Sequence, residues 1–314
     1  MFTKTLVYYI SMRKVFKLLL LSPLAFTCAG CQNKKAPKPV DVVVISGQSN
    51  AVGCTRSDKI PLSIGYSKYS EWMEGFEDIQ IAYDSWTKDG TSFYSQNKSD
   101  DDTFMRVMLG QGNSILTFGP EIGIAERMHE KYANKLFLIK YACGASNLKD
   151  DWAKRDSPMY GRLVNYVKLQ MGNLKKMGYE PTIKAFCWMQ GEGDSYPGYY
   201  DQYQDNLRGF VTNLRTDLKE ESGNKDFPFI DAGINDNKKV WEYGKQVNEA
   251  KQAFAAESEN NFYIDTKAAG LHTDQEPTES EPDRAHYDSD SEVLLGELFA
   301  EAFEPFLMPI EENE

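Results

Sequence analysis

Five apolar runs of strand length mark the chain: "VDVVVIS" (40–46), "KLFLIKYA" (135–142), "TIKAFCWM" (182–189), "FPFIDAGI" (227–234) and "NFYIDT" (261–266). Their apolar residues run on without a regular polar face, which predicts strands covered on both sides. Between them, "PEIGIAERMHEKYA" (120–133), "PMYGRLVNYVKLQMGNLKKM" (158–177), "YYDQYQDNLRGFVTNLRTDLKE" (199–220) and "VWEYGKQVNEAKQAFAAE" (240–257) carry apolar residues at helical spacing. A last helix is predicted over 291–307. Strands alternating with helices predict an α/β domain, a three-layer α/β/α sandwich around a mainly parallel sheet. Its active site would lie beyond the carboxyl ends of the strands. Residues 55 to 118 break the rhythm and read as a long loop insertion in which, with the loops near 145–157 and 195–200, substrate specificity is expected to reside. The acidic turn "KSDDDTF" (98–104) lacks the alternating ligands, glycine and distal glutamate of a calcium loop.

The amino terminus follows a different logic. Arg13, Lys14 and Lys17 precede "LLLLSPLAF", and "TCAGC" follows. A basic stretch, a short apolar run and small residues before a cysteine form the layout of a secretory signal. The apolar run is far short of the ~20 residues needed to span a bilayer. "CAGC" resembles a bacterial lipobox, so residues 1–30 are expected to be a lipoprotein signal peptide and Cys31 the lipidated mature terminus. Residues 31–39 would then be the lipidated cysteine and its tether, and 40–310 the catalytic domain. The protein is expected to be exported and membrane-anchored, on the periplasmic side or at the cell surface.

Charge narrows the partners. Four basic and no acidic residues precede Cys31, so 31 basic residues face 47 acidic ones beyond it, a net charge of −16. That excludes nucleic acid as a partner and leaves the lipid as the sole membrane contact. Cys54, Cys143 and Cys187 show no Cys-x-x-Cys spacing, so neither a disulfide framework nor a zinc ribbon is indicated. Small buried residues are the simpler reading.

Candidate chemistry collects at three strand ends. Gly47, Gln48, Ser49 and Asn50 follow the first strand, "CGASNL" the second and "QGEGD" the third. A serine there needs a base, and the chain has three histidines. His129 sits among Glu126, Arg127, Glu130 and Lys131 and reads as a surface residue. His272 lies in "AGLHTDQEP", with no obvious carboxylate partner. His286 follows Asp283 by three residues, a spacing that lets a carboxylate hold one imidazole nitrogen while the other takes a proton from serine. Glu192 and Asp194 read as local anchors of their loop. Trp152 and Tyr196 are candidate stacking residues for a sugar face.

The ordered set "GQSN", "FGPEIG", "KYACGASNL", "WMQGEGD" and "DRAHYDS" resembles the SGNH-hydrolase superfamily. Within it, the set is similar to the sialic-acid-specific acetylesterases and the acetylxylan esterases of carbohydrate esterase family 6, from about Val40 to Leu307. The resemblance implies a flavodoxin-like fold and hydrolysis of O-acetyl esters on sugars without cofactor or metal. It places the nucleophile on Ser49, the acid and base on Asp283 and His286, and the oxyanion hole on the Ser49 amide, Gly144 and Gln190. The family's common Gly-Gly-Thr is here Gly144-Ala145-Ser146.

The leading expectation is therefore a serine esterase acting on an acetylated carbohydrate through an acetyl-enzyme. A lipase or thioesterase on the same scaffold would need an apolar acyl groove, which the polar 85–113 segment does not suggest. A non-catalytic glycan-binding lipoprotein would not need Ser49, Gln190, Asp283 and His286 together. Glycoside hydrolysis by Glu192 and Asp194 would need carboxylates ~6.5–9.5 Å apart across a scissile bond, which two neighbours on one turn do not provide.

Overall fold

The computed structural model describes residues 36–89, 92–100, 103–132, 136–275 and 284–309. Residues 1–30, the expected signal peptide, lie outside the described residues, as do Cys31 and Asp283. The unit that begins at Pro37 contains, in chain order, β1 (Lys38–Gly47), α1 (Ser49–Val52), β2 (Thr55–Arg56), α2 (Pro61–Glu74), β3 (Phe76–Asp89), β4 (Ser92–Lys98), β5 (Met105–Val107) and β6 (Thr117–Phe118). Then come α3 (Glu121–Met128), β7 (Leu136–Gly144), α4 (Pro158–Lys176), β8 (Tyr179–Met189), α5 (Tyr203–Asp217), β9 (Phe229–Ala232), α6 (Gly244–Ala255), β10 (Asn261–Ile264) and α7 (Ser289–Phe303).

Among the described residues the main sheet runs β10-β9-β8-β1-β7-β3-β4, with β5 also paired to β3. The pairs from β10 to β3 are parallel, while β4 and β5 run antiparallel to β3. All five predicted strands are present, and the uninterrupted apolar runs have the cause inferred for them. β1 lies between β7 and β8, and Val42 to Ile45 are fully buried. Helices pack their apolar stripes onto the sheet: Leu163, Val167, Met171 and Leu174 of α4, and Leu207, Phe210, Val211 and Leu214 of α5. Cys54, Cys143 and Cys187 are free, and burial pushes the Cys143 thiol up to about 12.

The 55–118 segment corrects the sequence reading. It is not a loop but a folded extension of the sheet, supplying α2, the long β3 and the antiparallel β4 and β5. Strand β3 buries Ile79, Ile81 and Tyr83 while Gln80 and Asp84 are only half-buried. The alternation in "IQIAYD" is partial, because Ala82 is buried as well, and the polar residues around it concealed the strand.

Two features orient the domain. Chain order passes from β7 across β1 to β8, so the end of β1 is a switch point of the kind at which open α/β sheets bind ligands. At the opposite pole, Lys38 N donates to Gly178 O (3.1 Å) and Met308 N to Asp41 Oδ2 (2.6 Å). The start of β1 and the segment after α7 are thus held together at the amino ends of the strands. No helix among the described residues is long and apolar enough to cross a membrane.

Candidate active site

Gly47 explains why β1 ends as it does. Its φ is +140°, and a Cβ at this position would lie 2.0 Å from Met189 O. A glycine is required for the two strand ends to approach this closely. Gln48 N then donates to Met189 O (2.9 Å), and the Gln48 side-chain oxygen accepts from Gly191 N (3.2 Å) and Gly193 N (3.0 Å). The amides in "GQSN" therefore bind the end of β1 to the loop after β8. Ser49 opens α1, half-buried. The first N–H groups of a helix have no acceptor within it, so the Ser49 amide is not spent inside α1.

His286 is half-buried and is brought to this turn by Asn50. Asn50 Oδ1 accepts from Tyr287 N (3.2 Å), and Asn50 Nδ2 lies 3.5 Å from Ala285 O and 2.7 Å from Glu192 Oε1. The residues on either side of His286 are thus tied to the residue after Ser49. Thr55 Oγ1 adds a bond to Tyr287 O (2.7 Å), and the Tyr287 hydroxyl donates to Gly233 O (3.1 Å). Arg284 adopts a left-handed backbone (φ +60°) in this segment. Asp283, expected to orient the imidazole, lies outside the described residues.

Gln190 departs from its expected role as an oxyanion donor. It is fully buried, and Nε2 donates to Asp194 Oδ2 (2.6 Å) and Gln48 Oε1 (3.2 Å). Both amide hydrogens are used inside the protein, the stronger bond going to a carboxylate. In this structure Gln190 braces the loop, and Tyr203 OH fixes it further through Gln190 O (3.0 Å) and Oε1 (3.1 Å). Gly144 ends β7 beside Thr87, and Ala145 takes φ +57°. The left-handed geometry suited to a second glycine is kept here by an alanine, at a cost of about 1–2 kcal/mol.

Trp152 is also corrected. It is fully buried, its indole N–H donates to Ser146 Oγ (2.9 Å), and its ring meets Trp188 edge-on at 5.4 Å. It is a core residue that supports the Gly144–Ser146 turn, with no face open to a sugar. Tyr196, in contrast, is 51% exposed.

The two acidic residues divide their work. Asp194 is not the local anchor expected: it ties its loop to the one after β7, accepting from Leu148 N (2.6 Å) and Lys149 N (3.2 Å), and burial raises its carboxyl to about 6. Glu192 reaches Asn50, and burial raises its carboxyl too. His129 is surface-exposed and pairs with Asp78 (2.9 Å). His272 has the carboxylate partner that the sequence did not reveal: its Nδ1 lies 2.6 Å from Asp288 Oδ2. That aspartate also accepts from Gln275 N (2.7 Å).

Two buried lysines escaped the sequence reading. Lys140 in β7 donates to Glu121 Oε2 (2.8 Å), Gln111 O (2.7 Å) and Val52 O (3.0 Å), the last being the end of α1. Lys251 in α6 donates to Asp231 Oδ1 (2.6 Å) and Ala232 O (2.7 Å) at the end of β9. No group of three or more His, Cys, Asp or Glu among the described residues is placed to hold a metal ion.

A family model described as carbohydrate esterase, sialic acid-specific acetylesterase, matches residues 39–304. No curated protein sequence matches the chain. Among solved structures it is similar to a protein from Arabidopsis thaliana, with 22% identity over 86% of this chain and 100% of that one and a TM-score of 0.60. It is also similar to NanS, with 14% identity over 86% and 98% of the two chains and a TM-score of 0.61. At such identities the two structures speak for the fold, and the family match carries the assignment. The chain belongs to the sialic acid-specific acetylesterase family of carbohydrate esterases, and it is a carboxylic ester hydrolase acting on acetylated carbohydrates.

Proposed function

We propose that the protein removes O-acetyl groups from sugars through an acetyl-enzyme on Ser49. The observation that carries this reading is the Asn50 carboxamide, which ties both neighbours of His286 to the residue following Ser49. In the first half-reaction Ser49 Oγ attacks the acetyl carbonyl as His286 accepts the serine proton. The tetrahedral adduct collapses, its bond to the sugar oxygen breaks, and His286 returns the proton to that oxygen. Water then attacks the acetyl-enzyme with His286 again as base, releasing acetate and restoring Ser49. Asp283 would hold the imidazole tautomer and stabilise the imidazolium. The Ser49 and Gly144 backbone amides are the proposed oxyanion donors, with Gln190 holding the loop behind them.

Acetylated sialic acids and acetylated xylan are the substrates in view, with Tyr196 the proposed contact for a sugar face. We also propose that Cys31 carries a lipid that anchors the exported protein to a membrane. Intact mass of membrane-extracted protein tests this, and a mature terminus other than Cys31 would refute it.

A second reading rests on one observation, the 2.6 Å His272–Asp288 pair, which is arranged as a base and its orienting acid. Acetate release from acetylated sialic acid and xylan separates the two. Ser49→Ala and His286→Ala should each nearly abolish turnover, and together cost little more than either alone, while His272→Ala stays near wild type. Full activity in His286→Ala with loss in His272→Ala would transfer the base to His272.

A further inference from the structure

Asn50 adjoins the proposed nucleophile, yet its side chain is spent entirely on neighbouring protein. It is 1% exposed, and so is Glu192. Its carboxamide has two chemically different ends. The oxygen takes the N–H of Tyr287, and the nitrogen faces Glu192 Oε1 and Ala285 O. We propose that Asn50 is a positioning residue that sets the reach of His286 toward Ser49, and that Glu192 holds the Asn50 amide in the required orientation.

The chemistry of the donors forces that orientation. A reversed amide would turn its NH2 against the Tyr287 N–H and its oxygen against the Glu192 carboxyl oxygen, two unfavourable contacts at once. Ser49 and Asn50 share one turn, and Lys140 fixes the far end of that turn through Val52 O. Movement of the His286 segment relative to Ser49 must therefore strain the Asn50 bonds, which act beside the Thr55 bond to Tyr287 O. The carboxyls of Glu192 and Glu292 both lie within electrostatic reach of His286, so a displaced imidazole would meet a different field.

The proposal rests on the serine-esterase reading for its catalytic consequence, but its geometry can be read independently. The chain has three histidines, so [15N]histidine-labelled protein gives three imidazoles to follow by NMR across pH. Asn50→Ala should move the His286 titration by about half a pH unit or more while His129 and His272 hold. With 4-methylumbelliferyl acetate, kcat should fall about 10²-fold, the typical effect of a misplaced catalytic group, with KM within about threefold. Glu192→Ala and Glu192→Gln remove the same charge, but only glutamine keeps an acceptor for Asn50 Nδ2. Glu192→Ala should therefore lose about 10²-fold in kcat, and Glu192→Gln should recover to within about fivefold of wild type. That contrast decides the matter even if Asn50→Ala does not fold. A folded Asn50→Ala with an unmoved His286 titration would overturn the proposal, as would equal kcat in the two Glu192 variants. If Ser49→Ala keeps wild-type turnover, the esterase reading falls, and the His286 titration still decides the positioning claim.

Discussion

Two buried lysines brace the carboxyl ends of the strands, Lys140 at the Ser49 turn and Lys251 at the end of β9, and they are unlike. Lys140 has three ammonium hydrogens and three oxygen acceptors, and its partner Glu121 also accepts from Gly119 N (2.9 Å) through Oε1. Lys251 has two oxygen acceptors, with its ammonium 5.7 Å from the Tyr203 ring centroid. Its partner Asp231 keeps one carboxylate oxygen buried without a hydrogen bond, and burial lifts that carboxyl to about 7. Burial alone is thus not what unsettles a charged pair. The Lys140 ammonium replaces its lost water completely and acts as a fixed brace, whereas Asp231, the partner of Lys251, keeps one oxygen unserved and stores a tendency to take up protons.

The largest effect should come from breaking the complete cluster. Lys140→Met leaves Glu121 uncompensated and Val52 O without its donor, and should cost about 3–5 kcal/mol. Urea denaturation measures this, and a loss below about 1 kcal/mol would show that the brace matters little.

Asp231→Asn comes next and differs in kind, because its effect depends on pH. A carboxyl raised in the folded state binds its proton more tightly there than in the unfolded chain. That contribution to stability is present at low pH and is lost as pH rises from the ordinary carboxylate value of 3.8 through about 7. Relative to wild type, Asp231→Asn should therefore gain stability between pH 4 and 8. Parallel denaturation midpoints across that range would contradict the comparison. Asp194, raised to about 6, should add to the same wild-type slope over a narrower window.

The smallest effect is reserved for the lysine's aromatic neighbour. Tyr203→Phe removes the hydroxyl bonds to Gln190 but keeps the ring near Lys251, and should cost about 1 kcal/mol. A loss as large as that of Lys140→Met would mean that Gln190, rather than the lysine, holds this side of the turn.

How far the sequence could lead depends on whether its signals were local. The uninterrupted apolar runs identified β1, β7, β8, β9 and β10, and polar residues at three strand ends pointed to the candidate site. Strand β3 carried a partial period-two signal and was masked by composition. Lys140 was also in view, as a lysine inside the apolar run "KLFLIKYA", where only a buried partner makes the charge tolerable. Lys251 gave no such clue, because a lysine in an amphipathic helix ordinarily faces water. The roles of Gln190, Trp152 and His272 were set by partners four to sixteen residues away, at Asp194, Ser146 and Asp288. Spacing names the candidates for such bonds but does not choose among them.

The junction of Met308 with Asp41 beside the start of β1 has a practical side. Both ends of the folded unit emerge at the pole away from Ser49, so a fusion partner, a bead or a surface attached there would leave the candidate site facing the medium. A polymer too large to diffuse into a crowded support would still reach the proposed nucleophile first. Attachment through the exposed Lys238 or Lys239, in the segment that follows the carboxyl end of β9, would turn the molecule over and place the support where the substrate must enter.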